Sequence, residues 1–107
     1  MKIRVPEHVR LDRERMVKVA LATTPRAQLD LYCLGPGQSQ KAHVHGDQDK
    51  ICYVLAGRGR FTLDTTEEML EAGEAIVAAA GSSHGIANAG ERPLVVLVVV
   101  TPPPAHA

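Results

Sequence analysis

His43-Val44-His45-Gly46-Asp47-Gln48-Asp49-Lys50 places two histidines one residue apart on a segment that reads as extended chain. In that conformation side chains at i and i+2 leave the same face, so both imidazoles point one way, as two ligands of one metal would. A third histidine, His84, follows the glycine-punctuated turn at Gly81-Ser82-Ser83. Function therefore turns on whether His43, His45 and His84 converge.

Outward from this stretch the chain alternates between short strands and turn residues. Val17, Val19 and Leu21 alternate with Lys18, Ala20 and Ala22 in a first strand, and Leu29, Leu31 and Cys33 alternate with Gln28, Asp30 and Tyr32 in a second. Thr23-Thr24-Pro25 supplies the first turn and Leu34-Gly35-Pro36-Gly37 ends the second strand, so a hairpin follows. Further strands are predicted at about residues 40–45, 51–55, 60–64, 68–70, 75–78, 84–89 and 94–101. Gly57, Asp64-Thr65-Thr66, Gly73, Gly81-Ser82-Ser83 and Gly90-Glu91-Arg92-Pro93 separate them. Many short strands without a long amphipathic helix predict an all-β sandwich or barrel.

The 107 residues suit one domain. Residues 1–15 form a charged lead-in, with residues 7–15 a loop or a short exposed helix that packs Val9 and Leu11. The barrel is expected over 16–101, and the proline-rich tail over 102–107 carries His106 as a bystander. Twelve basic residues balance twelve acidic ones, leaving no electrostatic footprint for nucleic acid or an anionic membrane. The longest apolar run, Leu94 to Val100, is too short for a membrane helix and reads as a buried strand. No export signal is visible at the N-terminus, and Cys33 and Cys52 sit in apolar runs as core thiols, so a cytoplasmic location is expected.

Two spaced patterns narrow the fold. The first is Gly37-(five residues)-His43-Val44-His45-(four residues)-Lys50-(six residues)-Gly57, and the second is Gly73-(five residues)-Ala79-Ala80-Gly81-(two residues)-His84-(three residues)-Asn88. Together they resemble the two motifs of small single-domain bacterial cupins, including the short stretch between motifs. The resemblance implies a cupin-type double-stranded β-helix, or jelly-roll barrel, often dimeric. It also implies a metal held by two histidines and a carboxylate from the first motif and one histidine from the second. His43, His45 and His84 stand at the histidine positions.

Two positions depart from the motifs. Ala79 stands where proline is usual, which removes only a restraint on a turn. Lys50 stands where the family has glutamate or sometimes glutamine. An ammonium about 5 Å from a divalent cation, at an effective dielectric of about 20, is opposed by roughly 6–7 kcal/mol before screening. Four arrangements are open. Lys50 turns aside to pair with Asp47 or Asp49; it binds as a neutral amine with a depressed pKa; Asp49 or Gln48 takes the ligand position through a bulge; or the site holds no metal. The first, with a three-histidine site, is preferred. Period-two alternation aims Lys50, Cys52 and Val54 inward and Ile51, Tyr53 and Leu55 outward.

Three neutral imidazoles suit a divalent transition metal, whether zinc, manganese, iron, nickel or copper, with open positions for water or substrate. The chain then reads as a small metal-binding cupin, an enzyme acting on a small polar or anionic substrate if Lys50 serves as an anion-orienting or acid–base group. The rival is a non-catalytic carboxylate-binding or sensory module without metal. Asn88 is expected to secure a turn or strand end, Cys52 to be core, and Tyr32, Tyr53 and Phe61 to be core or dimer contacts. Exposed sheet edges, with Tyr53, Leu55 and Leu34 available for burial, predict a homodimer.

Overall fold

A computed structural model describes residues 1–44 and 46–104. A 3-10 turn at Val5–His8 precedes nine strands: β1 (Val17–Thr23), β2 (Gln28–Leu34), β3 (Ser39–Val44), β4 (Asp49–Ala56), β5 (Arg58–Leu63), β6 (Thr66–Glu71), β7 (Ala75–Ala78), β8 (Ser83–Asn88) and β9 (Leu94–Thr101). They form two antiparallel sheets, one ordered β1-β2-β9-β4-β7 and the other β3-β8-β5-β6. After the β1–β2 hairpin the chain changes sheet at each connection except the β5–β6 hairpin. That interleaving is the double-stranded β-helix predicted from the motifs.

β9 explains how one strand can be apolar at seven successive positions, Leu94 to Val100. It lies between β2 and β4, and its residues are buried by different neighbours on the two faces. Leu94, Val96, Val98 and Val100 enter the space between the sheets, where they meet Tyr32, Leu34, Cys52, Val54, Phe61, Leu70 and Ile86. On the opposite face Val95 packs with Leu31 and Cys33, supported by Leu97, Val17, Val19, Leu21 and Val5. Each fully buried Leu or Val contributes about 1.5–3 kcal/mol to folding.

Val5, on the 3-10 turn, is therefore the lead-in residue that joins the core, whereas Val9 and Leu11 stay substantially exposed. The predicted packing of Val9 and Leu11 is corrected accordingly. A second tie holds the lead-in: Gln38 Nε2 donates to the Asp12 carbonyl at 2.6 Å while Gln38 Oε1 accepts from the Gly35 amide at 2.7 Å.

The β4–β5 corner depends on glycine. Gly57 has φ +84°, and a Cβ there would run into the Pro93 carbonyl and the Leu94 backbone. Any side chain would be strained in conformation and would also lack space. Beside it Asn88 closes the same end of the barrel. Its Nδ2 donates to the carbonyls of Leu34 and Arg92, both at 2.9 Å, and its Oδ1 accepts from the Gly90 amide at 2.9 Å. The expected role of Asn88 is thus met by three side-chain to backbone bonds.

Alternation along β4 is as expected: Lys50, Cys52 and Val54 are buried between the sheets, while Ile51, Tyr53 and Leu55 face out. Leu34 differs from expectation. It is 0% exposed and belongs to the inner core, so it cannot join Tyr53 and Leu55 on an outer contact face. Among the described residues no helix is long and apolar enough to cross a membrane.

Candidate functional site at the barrel mouth

β3 and β8 bring two of the predicted ligands together. His43 and His84 are direct cross-strand partners, so their side chains leave the same face, and their ring centroids lie 4.7 Å apart at an interplanar angle of 54°. His43 Nδ1 lies 2.9 Å from the Lys41 carbonyl and His84 Nδ1 lies 3.4 Å from the Ser82 carbonyl. A carbonyl can only accept, so in these contacts Nδ1 carries a proton, and in the neutral ring the electron pair is then on Nε2. That is the tautomer a metal-binding imidazole needs. His45, the third predicted ligand, lies outside the described residues. Within the described residues no group of three His, Cys, Asp or Glu side chains is placed to hold a metal.

Two local features support the histidine pair. The β3–β8 register shifts between Gln40 and His43, a bulge that lets Gln40 line the cavity together with His84. Period-two counting back from His43 would have selected Lys41, which is exposed. Next to His84, Gly85 sits so close to β3 and β5 that a Cβ would meet the Ala42 amide nitrogen at 2.8 Å and Thr62 Oγ1 at 2.9 Å. Only glycine allows β8 to lie this close to β3 behind the histidines.

Lys50 does not take the arrangement preferred from sequence. Its side chain is 4% exposed and its Nζ donates to Tyr32 Oη at 3.1 Å, not to Asp47 or Asp49. Asp49 is engaged elsewhere, its Oδ1 accepting from the Ala80 amide at 2.8 Å, and Gln48 Nε2 donates to the Pro102 carbonyl at 3.3 Å. A bulge that would move either into the ligand position is missing too, because the β4–β9 irregularity falls between Val54 and Ala56. Lys50 remains at the position the motif assigns to a ligand.

Its electrostatics follow from burial. Loss of solvent pushes the Lys50 ammonium below the usual lysine range, with Lys18 adding to the effect and Cys52 and Asp30 opposing it. Burial likewise raises the Tyr32 phenol, aided by Asp30, so the phenol keeps its proton. Burial pushes the Cys52 thiol up to about 11, with Lys50 opposing, which makes it a core thiol and no nucleophile at neutral pH. The cavity between Lys50 and His84 is narrow, about 20 Å³, with Tyr32, Gln40, Phe61 and Ile86 on its walls. Space of that size admits a water or a single ion.

Tyr32 is the cavity residue hardest to see in the sequence. Its alternation showed only that it faces opposite to Leu31 and Cys33, and it shares the cavity with Lys50 because β9 sets the register of β2 against β4.

Comparison with known proteins agrees with this architecture. A cupin-domain family model matches residues 30–100. An oxalate-binding protein of Thermotoga maritima is 34% identical over 67 residues, covering 63% of this chain and 55% of that protein. The chain spans about half the length of the curated relatives it matches. Among solved structures, the TT1209 protein of Thermus thermophilus is 38% identical with a TM-score of 0.93, covering 97% of this chain and 100% of that one. A predicted oxalate decarboxylase from Thermotoga maritima is 26% identical with a TM-score of 0.76, covering 80% and 79%. With the family model spanning most of the barrel and both motifs in place, the chain belongs to the cupin family.

Proposed function

We propose that this cupin binds a small carboxylate-bearing molecule at the barrel mouth, with a divalent transition metal held by His43, His45 and His84. The observation that carries the reading is the in-register pair of His43 and His84, each with Nδ1 at a backbone carbonyl. The donor set fits a metal that accepts neutral nitrogen ligands, such as zinc, manganese, iron, nickel or copper. Bound there, the metal would supply Lewis-acid or redox chemistry. A carboxylate suits the site because one of its oxygens, entering the narrow space from the mouth, would lie between two positive charges that otherwise repel each other. The oxalate-binding relative points to the same class of ligand.

Metal analysis of the untagged protein tests this. Stoichiometric metal that is lost in His84→Ala supports the reading, and a protein that carries none and cannot be loaded defeats it.

A second reading is favoured by Lys50 itself. A buried cation at a ligand position could replace the metal's charge, making the chain a metal-free carboxylate module without turnover. In that case Lys50→Met and His84→Ala both weaken carboxylate binding and neither changes metal content. We further propose that a second copy covers the outer face of the larger sheet, where Ile51, Tyr53 and Val77 lie side by side and Tyr53 is 42% exposed. A monomeric mass by light scattering at micromolar concentration would contradict it.

A further inference from the structure

Lys50 and Tyr32 also border a second, wider space. A cleft of about 210 Å³ opens on the other side of the pair, lined by Lys18, Gln28, Asp30 and Gln48. At about 210 Å³ it has room for a whole small organic molecule, whereas the space beside the histidines, at about 20 Å³, takes no more than a single group of one. We propose that the Lys50 amine, held against the Tyr32 phenol at the wall of this cleft, is a covalent site for small carbonyl compounds, aldehydes or 2-oxo acids, which it captures as an imine. The site stands whether or not the histidines hold a metal.

The chain has only four lysines, Lys2, Lys18, Lys41 and Lys50, and of these Lys50 alone is buried. Lysine amines become nucleophilic at neutral pH when desolvated or placed near another cation. Both conditions hold for Lys50, which is buried and feels the charge of Lys18. Tyr32 Oη, 3.1 Å from Nζ, supplies a proton at the point where a carbonyl oxygen would arrive. Lys18 reaches the same cleft, with its Nζ 5.1 Å from the Tyr32 ring centroid, and provides a cation for the carboxylate of a 2-oxo acid. Asp30 would repel a second carboxylate, which favours monoacids; it is buried, with its oxygens accepting from Gln28 Nε2 at 2.8 and 3.1 Å.

The chemistry balances without a further reactant. The amine lone pair forms a C–N bond to the carbonyl carbon as the C=O π pair moves to oxygen, which takes the Tyr32 proton. In the same step the new ammonium passes a proton to the Tyr32 oxygen along the existing hydrogen bond, so no free phenolate forms and a neutral carbinolamine results. Expulsion of its hydroxyl group, with the remaining N–H proton, as water leaves the C=N bond. One amine and one carbonyl thus become one imine and one water.

The test is reductive trapping on the full chain, with glyoxylate as the probe and cyanoborohydride as the reductant, read by intact mass and peptide mapping. The expected result is one adduct per chain, located at Lys50. Tyr32→Phe, checked for an unchanged circular dichroism spectrum, should slow trapping about 100-fold. Lys50→Arg should remove the adduct while keeping a cation. Adducts spread over Lys2, Lys18, Lys41 and the N-terminal amine, with Lys50 unmodified, would overturn the proposal. So would trapping at Lys50 in Tyr32→Phe at the rate of the unaltered protein. The map of the unaltered protein reads Lys50 directly, so the location of the adduct does not depend on how well the variants fold.

Discussion

At one end of the barrel Leu34, Val54 and Leu94 pack inward without exposure and Asn88 ties the end of β2 to the β8–β9 turn over them; at the other, β2, β4, β3 and β8 present Tyr32, Lys50, His43 and His84 to the inside. Each of β2, β4 and β8 carries one residue of each kind: Leu34 and Tyr32, Val54 and Lys50, Asn88 and His84. The polar group at the closed end has all its bonds made by backbone, so it adds order. At the open end the polar groups face a cavity or cleft, and one is a buried cation. Packing that seals the core and polar groups that face open space are thus separated along the strand axis, a few residues apart on the same strands.

Core truncation should produce the largest effect and break that separation if it fails. Leu94→Ala at the closed end is expected to cost about 3 kcal/mol, from lost transfer free energy plus a cavity, read as a lower urea midpoint with an unchanged slope. Metal or ligand binding at the mouth should persist in the folded fraction. Asn88→Ala comes next. It removes the donor to the Leu34 and Arg92 carbonyls and the acceptor of the Gly90 amide, at a cost of about 2 kcal/mol. A loss under about 0.5 kcal/mol would show that water replaces Asn88 and that the closed end is less sealed than its packing implies.

The closed end was the more legible of the two. Strand alternation, the apolar run of β9 and the glycine at Gly57 each report a local rule, and local rules decide where Val54, Val96 and Leu94 go. The mouth depends on register between strands distant in sequence. Alternation correctly aimed Lys50 inward, but its partner could not be found that way, because Tyr32 reaches it across β9 and not along β4. Asp47 and Asp49 were near in sequence, yet the pleat turns Asp49 outward to the Ala80 amide. The β3 bulge hid Gln40 in the same way, and Leu34 could not be assigned to the inner face until the depth of the core was known.

Alkaline pH offers a probe of the inner wall between the two ends. Cys52 keeps its proton in the folded protein until about pH 11, whereas in the unfolded chain it ionises near 9.0. Between those values the unfolded state binds fewer protons than the native state, so stability falls as pH rises from about 9 to about 11, by roughly 2 kcal/mol from this group. Lys50, whose folded pKa is lowered, has the opposite sign: the unfolded chain binds more protons, so its contribution rises with pH up to the ordinary lysine range. Cys52→Val should therefore flatten the alkaline loss in urea midpoints measured from pH 8 to 11. An unchanged slope would mean that the thiol is not the group that titrates.

The smallest expected change belongs to Lys50→Met, and it bears most directly on the contrast between the ends. Burying an ammonium costs solvation that one hydrogen bond to a phenol only partly returns, so an unbranched apolar side chain of similar length should fit with little loss. Tyr32 loses a donor but keeps its own proton, and the cleft beside it leaves room for water to accept it. The expected change at pH 7 is within about 1 kcal/mol, in either direction, while carboxylate binding and imine trapping fall. A destabilisation above about 2 kcal/mol would make Lys50 a structural counterpart of Asn88, and the mouth would then be a second closed end. Little change in stability, coupled with lost binding, would mark Lys50 as a residue retained for what enters the mouth.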